Sequence, residues 1–332
     1  MVVKDFCGLC EIFVIFVRTK LRHYRKIHLR LRAVVFISFV RMINIDEQLH
    51  HLLEEALKED LGTGDHSTLS CIPATAMGKA VLKIKQDGIL AGMRVAEKIF
   101  NMCNPATVFT PYKKDGDTMR HGEEAFEVQS TVHAILQGER LVLNCMQRMS
   151  GIATLTRQYA EKLEGYTSRL LDTRKTTPNF RLLEKEAVRI GGAVNHRFGL
   201  YDMIMLKDNH IDFCGGIEKA IERSWEYVQV KEPGLKIELE TRSIADVKKV
   251  IDAGQGKVFR IMLDNFKPEQ VVTALKLIHD TVGPGIFETE ASGGINLDNI
   301  EEYAKTGVDF VSAGALIHQA QSLDLSLKAV LL

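Results

Sequence analysis

The pattern of apolar and polar residues divides the chain into three parts. Residues 1–41 contain runs of Phe, Ile and Val that follow neither a helical nor a strand period. From Met42 the pattern becomes regular, and it predicts a first helix that is capped by Asp46 and ends at Gly62. The apolar positions that repeat with helical spacing are Leu49, Leu52, Leu53, Ala56 and Leu57.

The pattern over residues 42 to about 140, which includes this helix, predicts a small α+β layer. The motif LGTGDHST at 61–68 is typical of a loop. Two strand-like runs, Lys79–Lys85 and Ile89–Gly92, flank Asp87-Gly88, a dipeptide that favours a hairpin turn. Alternation over Ala125–Leu136 predicts a further strand.

The third part repeats a different unit, in which a short apolar run ends in polar or glycine residues and is followed by a helical pattern. The runs are Arg169–Leu171, Met203–Leu206, Leu235–Leu239, Phe259–Leu263, Gly285–Phe287 and Val308–Val311. This recurrence predicts parallel strands joined by right-handed helical crossovers, as in a barrel. An open doubly wound sheet is the alternative, although no GxGxxG motif follows a first strand.

The polar residues at the ends of these runs change type along the chain. Cations come first, two acids follow, and glycines come last; in order they are Arg174, Lys175, His196, Arg197, Lys207, Glu240, Asp264, Ser292, Gly293, Gly294 and Gly314. Barrel enzymes build their active sites at these strand ends. The order therefore predicts an anion pocket, a site for a hard cation such as Mg²⁺, and a phosphate cradle before a helix over 297–305.

Each of these features also has a purely structural interpretation. A lysine or arginine at a strand end often forms only a surface ion pair, and Asp172 is a possible helix cap. Glu238 and Glu240 share one strand face by parity, so one of them could serve only as a partner for Arg242. His196 alone could be a core histidine with satisfied hydrogen bonds. The combination of all these residues favours a functional site.

Composition and charge narrow the class of protein. Among 332 residues, 45% are apolar and 26% are charged, which is sufficient for a packed core and excludes global disorder. Lys+Arg and Asp+Glu both total 43, so the chain lacks the basic excess of a nucleic-acid binder. No apolar run is long enough for a membrane span. Six sparse, irregularly spaced cysteines indicate a reducing compartment, and we expect a cytoplasmic location.

Residues 1–41 differ from the rest in charge. They hold nine basic residues against Asp5 and Glu11, which leaves 34 basic and 41 acidic residues for 42–332. A secretory signal would place its charges before the apolar run, and an organellar presequence would contain more serine than Ser38 alone. We favour the interpretation that Met42 is the natural start, and expect a chain beginning there to fold and keep activity. Cys7 and Cys10 lack a second pair, so no zinc site is expected.

Several long motifs resemble one enzyme family. They are EDLGTGDHST (59–68), LNCMQRMSGIAT (143–154), the block DTRKTTPNFRLLEKEAVRIGGAVNHRFGLYDMIMLKDNHI (172–211), IELETRS (237–243), IMLDNF (261–266), ETEASGGI (288–295) and GVDFVSAGALIHQA (307–320). From about Met42 to the C-terminus the chain is similar to quinolinate phosphoribosyltransferase, also called nicotinate-nucleotide pyrophosphorylase (carboxylating).

The resemblance implies a type II phosphoribosyltransferase-like α/β fold, in which an N-terminal α/β sandwich precedes an incomplete barrel of six or seven strands. The expected domains are an extraneous or disordered extension (1–41), the sandwich (42–142), the catalytic barrel (143–315) and a C-terminal segment that returns to the sandwich (316–332). The resemblance also implies a homodimer or higher homo-oligomer, in which the sandwich of one subunit covers the barrel of the other.

The implied reaction transfers phosphoribosyl from 5-phosphoribosyl 1-diphosphate to quinolinate with Mg²⁺, and it yields nicotinate mononucleotide, pyrophosphate and CO₂ for NAD biosynthesis. By the same resemblance, the quinolinate pocket is formed by Arg140 from the partner subunit and by Arg174, Lys175, His196, Arg197 and Lys207. The phosphoribosyl diphosphate site is formed by Lys207, Glu240, Asp264, Ser292, Gly293, Gly294 and Gly314. Glu240, Asp264 and Lys175 would act in catalysis, and Glu240 and Asp264 would hold Mg²⁺, partly through substrate and water.

Two other functions stay open at this point. A same-fold transferase with another acceptor is disfavoured by the intact set of cations, since a neutral acceptor would leave them unpaired. A Schiff-base lyase barrel could use Lys175 or Lys207 as its nucleophile, because neighbouring cations can depress the pKa of a lysine. A protein that only binds ligands would not need the acids and the phosphate glycines together.

Overall fold

The structure, a computed structural model, describes residues 44–330. The predictions for 1–41, for Met42 as the start and for Cys7 and Cys10 lie outside these residues. The chain divides between His51 and Leu52, within the first helix, and both sheets and the cavity belong to the part from Leu52 onward. Within residues 44–330, no helix has the length and apolar character needed to cross a membrane.

The first helix, α1, runs over Ile45–Leu61. The prediction that Asp46 caps this helix is wrong. Asn44 Oδ1 accepts the amide hydrogen of Glu47, and Asp46 lies inside the first turn. Part of the predicted loop is also helical: α2 covers His66–Cys71, with Asp65 accepting from the Thr68 amide at 3.1 Å.

An antiparallel sheet forms the centre of the N-terminal part. Its strand order is β12-β1-β5-β3, with bounds Met77–Ile84 (β1), Val108–Pro111 (β3), Glu124–Thr131 (β5) and Leu325–Val330 (β12). Helices α3 (Met93–Cys103) and α4 (Val132–Glu161) contact each other, and α4 also contacts β1, β5 and β12. Phe100 and Phe126 meet edge to face at 6.1 Å in this buried layer.

The predicted hairpin at Asp87-Gly88 is wrong. Strand β2 (Gly88–Ile89) pairs with β4 (Thr118–Met119), whereas both edges of β1 are occupied by β5 and β12. Asp87 instead accepts hydrogen bonds from the amide of His121 at 2.7 Å and from Arg120 at 3.0 Å. The strand predicted up to Leu136 also ends early, since Thr131 caps α4 by accepting the Ala134 amide hydrogen at 3.3 Å.

A parallel six-stranded sheet with order β6-β11-β10-β9-β8-β7 forms the C-terminal part. The strands are β6 (Arg169–Leu171), β7 (Ile204–Leu206), β8 (Ile237–Thr241), β9 (Arg260–Asp264), β10 (Glu288–Ser292) and β11 (Phe310–Ser312). The helices are α5 (Arg181–Gly191), α6 (Asp208–Cys214), α7 (Ile217–Val230), α8 (Ile244–Gly254), α9 (Pro268–Val282), α10 (Ile300–Ala304) and α11 (Ala315–His318). The predicted α/β fold with a sandwich and an incomplete barrel is confirmed.

The fifth strand lies later in the sequence than predicted. The apolar run Gly285–Phe287 was expected to form it, but the strand is Glu288–Ser292, which is rich in charged and polar residues. Arg260 on the neighbouring strand compensates these charges, with Nη2 at 2.6 Å from Glu288 and Nη1 at 3.0 Å from Glu290. A charged strand is possible here because its partner cation comes from the adjacent strand.

Helix α4 and the C-terminal segment connect the two sheets. Helix α4 crosses the predicted domain boundary at 142/143, so that boundary stays a prediction. The segment after α11 crosses α4 at Gly151, where an added Cβ would lie only 1.9 Å from the Gln321 carbonyl oxygen. Glycine is therefore required at this crossing, which lets β12 reach the edge of β1.

Candidate active site

A cavity of about 700 Å³ lies at the C-terminal ends of the barrel strands. The structure brings most of the predicted site residues to its wall: Arg174, Lys175, His196, Arg197, Lys207, Asp264, Ser292, Gly293, Gly294 and Gly314. Glu240 does not line this cavity itself but contacts Lys207, which does. Strands from distant parts of the sequence therefore gather cations, carboxylates and glycines at one mouth.

Asp172 organises the cationic side and is not a helix cap. Its buried carboxylate accepts from Lys185 Nζ at 2.6 Å, from Asn195 at 2.8 Å and from the amide of His196 at 2.7 Å. Burial raises the pKa of Asp172, and the positive charge of Lys185 opposes this shift. The ion pair thus joins helix α5 and the segment containing His196 to the end of β6.

A second buried carboxylate, Glu184, supports the loop that carries Arg174 and Lys175. It accepts from the Thr177 amide at 2.8 Å and from the Thr177 hydroxyl at 2.9 Å, and Arg148 on α4 contacts it at 2.8 Å. Glu184 is not among the predicted site residues, although its position on the apolar face of an amphipathic helix indicates that it is buried with a partner.

The arginines of the cationic side are poorly compensated within the described chain. Arg174 Nε is buried and has no hydrogen-bond partner among residues 44–330. Arg197 donates to the Met203 carbonyl at 3.2 Å, and burial followed by the positive charge of Arg174 lowers its pKa. Since neighbouring cations repel each other, this wall is suited to an anionic ligand with more than one acidic group.

The opposite side carries the two predicted carboxylates. Lys207 Nζ lies 3.2 Å from Glu240 Oε2, and Asp264 ends strand β9. Burial and then the charge of Glu240 raise the pKa of Asp264, as expected for two acids that share a site. The alternative that one of Glu238 and Glu240 pairs with Arg242 is wrong, because Arg242 pairs with Asp212 at 3.2 Å.

Glycines complete the wall between these sides. Gly293 has a φ of +96°, and an added Cβ would lie 2.3 Å from Asn265 Oδ1, so only glycine fits there. The helix predicted over 297–305 is shorter, Ile300–Ala304, because the Asn296 side chain takes the amide hydrogens of Asp298 and Asn299 in a turn. The expected helix N-terminus next to these glycines is therefore wrong. The half-buried Gly293 and the exposed Gly294 line the cavity without it.

Beneath the cavity, the barrel interior holds a cluster that sequence reasoning did not assign. His196 Nε2 lies 2.9 Å from Glu238 and 3.3 Å from Glu290, and Arg260 lies 3.0 Å from Glu290. We call these four residues the barrel-core cluster. All four are buried. The only sequence feature that indicated this cluster is the alternation that places Glu238 on the same strand face as Glu240.

Arg140 lies apart from the cavity. It is exposed on α4 and does not line the wall formed by its own chain. Its predicted role requires a second subunit, so that role stays a prediction.

Two family models together match most of the chain. Residues 65–150 match the N-terminal domain of quinolinate phosphoribosyl transferase, and residues 152–328 match its C-terminal domain. The resemblance inferred from the motifs is thereby confirmed.

Individual relatives agree with this match. The chain is 42% identical over 289 residues to the chloroplastic nicotinate-nucleotide pyrophosphorylase (carboxylating) of Arabidopsis thaliana, a match that covers 84% of this chain and 82% of the relative. The same identity and coverage hold for the mitochondrial quinolinate phosphoribosyltransferase (decarboxylating) 2a of Nicotiana tabacum.

Solved structures are similar over the same range. NadC from Streptococcus pyogenes superimposes with a TM-score of 0.78 at 39% identity, covering 85% of this chain and 97% of the other. The nicotinate-nucleotide pyrophosphorylase from Francisella tularensis gives a TM-score of 0.77 at 33% identity, covering 86% and 96%.

Proposed function

Since the chain belongs to the quinolinate phosphoribosyltransferase family, we propose that it transfers phosphoribosyl from 5-phosphoribosyl 1-diphosphate to quinolinate. The products are nicotinate mononucleotide, pyrophosphate and CO₂. The protein is then an enzyme, a pentosyltransferase of NAD biosynthesis. The Schiff-base lyase and the paralogue with another acceptor have no comparable support.

The observation that carries this proposal is the combination of cations, a carboxylate and glycines in one cavity. Arg174 and Lys175 follow β6, Lys207 follows β7, Asp264 ends β9, and glycines lie at the ends of β10 and β11. Quinolinate is a pyridine dicarboxylate, and the second substrate carries a diphosphate and a 5-phosphate. Charge-assisted hydrogen bonds contribute about 1.5–3 kcal/mol each, so several cations are needed to gather two such anions.

The quinolinate carboxylates would bind to Arg174, Lys175, His196, Arg197 and Lys207. In this arrangement the chain orients the ring nitrogen toward the ribose, and attack by that nitrogen needs no strong base. Once the nitrogen is ribosylated, the pyridinium ring accepts the electron pair that departing CO₂ leaves at C2. A cavity that excludes water from the 2-carboxylate favours this loss.

Glu240 and Asp264 would act on the ribose side. Breaking the bond from C1 to the diphosphate builds positive charge on the ribose ring, and two nearby carboxylates stabilise that charge. The 5-phosphate would bind to the polar and glycine backbone at Ser292, Gly293, Gly294 and Gly314. Lys175 contacts this region as well, since an added Cβ on Gly314 would lie 3.0 Å from Lys175 Cδ.

The residues present fit a Mg²⁺ ion that arrives with the diphosphate. Glu240 and Asp264 offer the carboxylate oxygens that Mg²⁺ prefers, and Mg²⁺ usually retains water and substrate ligands. Neither acid belongs to a cluster of three ligands within residues 44–330, so substrate oxygens and water would complete the coordination. When bound, Mg²⁺ neutralises the charge of the leaving diphosphate.

Assembly as a homodimer is part of the same proposal. Arg140 is exposed on α4 and does not line the cavity of its own chain, so it is placed to reach a neighbouring subunit. A second copy that supplies Arg140 would complete the quinolinate pocket. Light scattering of the purified protein, and mixing of Arg140→Ala subunits with subunits inactive at Glu240, would test this arrangement through restored activity.

For the location we propose the cytoplasm. Four cysteines in the described chain are free, which suits a reducing compartment. The names of relatives include chloroplastic and mitochondrial proteins, so fractionation of cells with an antibody against the chain is the appropriate test.

The reaction itself is tested by incubating the purified chain with quinolinate, 5-phosphoribosyl 1-diphosphate and Mg²⁺. We expect equal amounts of CO₂ and nicotinate mononucleotide, and no product when EDTA removes the metal. Formation of no nucleotide with quinolinate, but of one with a neutral pyridine acceptor, would overturn the proposal.

A further inference from the structure

With both glutamates ionised, the barrel-core cluster contains more negative than positive charge unless His196 binds a proton. Burial and the charge of Glu290 raise the pKa of Glu238, so Glu238 is the other buried group that can take up this proton. Glu238 and Glu290 are fully buried, and Arg260 is the buried cation that faces both, at 3.9 Å and 3.0 Å. Glu288, which is partly exposed, also contacts Arg260 at 2.6 Å. Because an uncompensated buried charge is costly, a proton on His196 balances the buried members of the cluster.

The surroundings fix the position of His196 from several sides. Asp172 accepts its amide hydrogen, Lys185 Nζ donates to its carbonyl at 3.1 Å, and the two glutamates face Nε2. Neither oxygen of Glu238 accepts a well-aligned hydrogen bond among the described residues, so its contact with the ring is chiefly electrostatic. The ring lines the cavity together with Glu290, whereas Glu238 does not line it.

One contact opposes protonation of the ring. The Arg197 amide points at Nδ1 from 2.6 Å, and it would have to turn away if this nitrogen bound a proton. Two buried carboxylates close to the other nitrogen outweigh the loss of one neutral hydrogen bond. Burial alone lowers the pKa of His196, but its contacts with Glu238 and Glu290 raise the value to about 9.

We propose that Glu238 and Glu290 are positioning residues that hold His196 in place as a cation, and thereby set the affinity of the cavity for the diacid substrate. This inference rests on the proposed function. The two glutamates act through His196, and Arg260 compensates part of their negative charge.

The decisive comparison is between Glu290→Gln and Glu288→Gln. Both variants remove one carboxylate from the same strand and from the same arginine, but only Glu290 faces His196. For Glu290→Gln we expect KM for quinolinate to rise about ten-fold or more, whereas KM for 5-phosphoribosyl 1-diphosphate changes less than about two-fold. Glu288→Gln should leave both values close to those of the unchanged chain.

The pH profile provides a readout that a loss of packing would not change. Loss of one carboxylate lowers the pKa of His196, so kcat/KM for quinolinate should begin to fall at lower pH in Glu290→Gln than in the unchanged chain. Equal increases in both KM values, an unchanged pH profile, or equal effects of the two variants would overturn the proposal.

A measurement on the unchanged chain covers the case in which Glu290→Gln fails to fold. Nitrogen-15 spectra of labelled histidine, with the His196 signals assigned from His196→Gln, should show a doubly protonated ring near neutral pH. A neutral ring would overturn the inference. The product assay on the unchanged chain separates this result from a failure of the proposed function, since absence of nucleotide there would refute the function itself.

Discussion

The two sheets of this molecule differ in what they bury. The interior of the antiparallel sheet is apolar, with Leu82, Phe126 and Val128 fully buried, and its ion pair between Lys83 and Glu124 lies at the partly exposed surface. The parallel sheet encloses charged side chains instead, among them Glu238 and Glu290.

This difference follows from the tasks of the two regions. Burial of apolar area stabilises a fold without any partner, whereas a buried ion pair contributes little net stability and is strongly destabilising when one partner is lost. Charges retained inside the barrel therefore indicate a site whose geometry and electrostatics matter. The antiparallel sheet has no comparable set of buried ions among residues 44–330.

One substitution inside each sheet region should lower the free energy of unfolding by a similar amount, but the two should differ in their effect on activity. Lys185→Met leaves Asp172 buried without its cation, and Phe126→Ala leaves a cavity; each should lower the free energy of unfolding by about 3–5 kcal/mol. Only Lys185→Met should also raise KM for quinolinate, because Asp172 positions His196. Urea unfolding and steady-state kinetics below both melting temperatures check this; an equal change in KM for Phe126→Ala would contradict it.

Removal of a carboxylate at the barrel mouth should affect turnover instead of stability. We expect Glu240→Ala to lower kcat by about 10²–10³-fold, because it removes charge that stabilises the transition state, with a small change in KM for quinolinate. The matched control is Glu222→Ala, because Glu222 is exposed on the outer helix α7 and pairs with the half-buried Lys257. Rapid-quench assays measure the effect, and a change confined to KM would refute the assignment.

Removal of a cation from the opposite wall should have the converse effect. Lys175→Ala should raise KM for quinolinate about 10–100-fold with a smaller change in kcat, because one charge-assisted contact is lost. Lys305→Ala, which breaks only an exposed pair with Glu301, serves as control. If kcat falls and KM stays constant, Lys175 acts on the reacting bonds and not on binding.

The barrel interior should also make stability depend on pH. His196 has a folded-state pKa of about 9, above its usual value, so its contribution is complete below about pH 6.5 and is lost as the pH rises through about 9. We expect the melting temperature to fall over this interval by about 5 °C or less. The fall should be smaller in His196→Gln; equal slopes in thermal scans of the two proteins would contradict the prediction.

Much of the fold was predictable because local patterns determine it. Strand β6 was predicted with its bounds, and β7, β8, β9 and β11 within one or two residues, since each is a short apolar run that ends in polar residues. The false hairpin at Asp87-Gly88 and the misplaced strand β10 share one cause. In both cases the structure depends on a residue or strand far away in the sequence. Strand β12 occupies the edge of β1, and Arg260 compensates the charges of Glu288 and Glu290.

The site was predictable in part for the same reason. Residues that follow strands in sequence, such as Lys207 and Asp264, reach the cavity because parallel strands all end at one face. Glu184 and Arg260 were missed because they act through contacts with residues far away in the sequence. Their charge alone did not distinguish them from the many acids and bases on the surface.

Strand β12 has a consequence for the fate of damaged chains. It occupies one edge of β1, and β5 occupies the other. A protease that removed the last dozen residues would leave a row of unpaired amide and carbonyl groups along β1, which can template pairing with another molecule. Clipped protein should therefore precipitate on storage even while its cavity is intact, and the quality of a preparation depends on its final few residues.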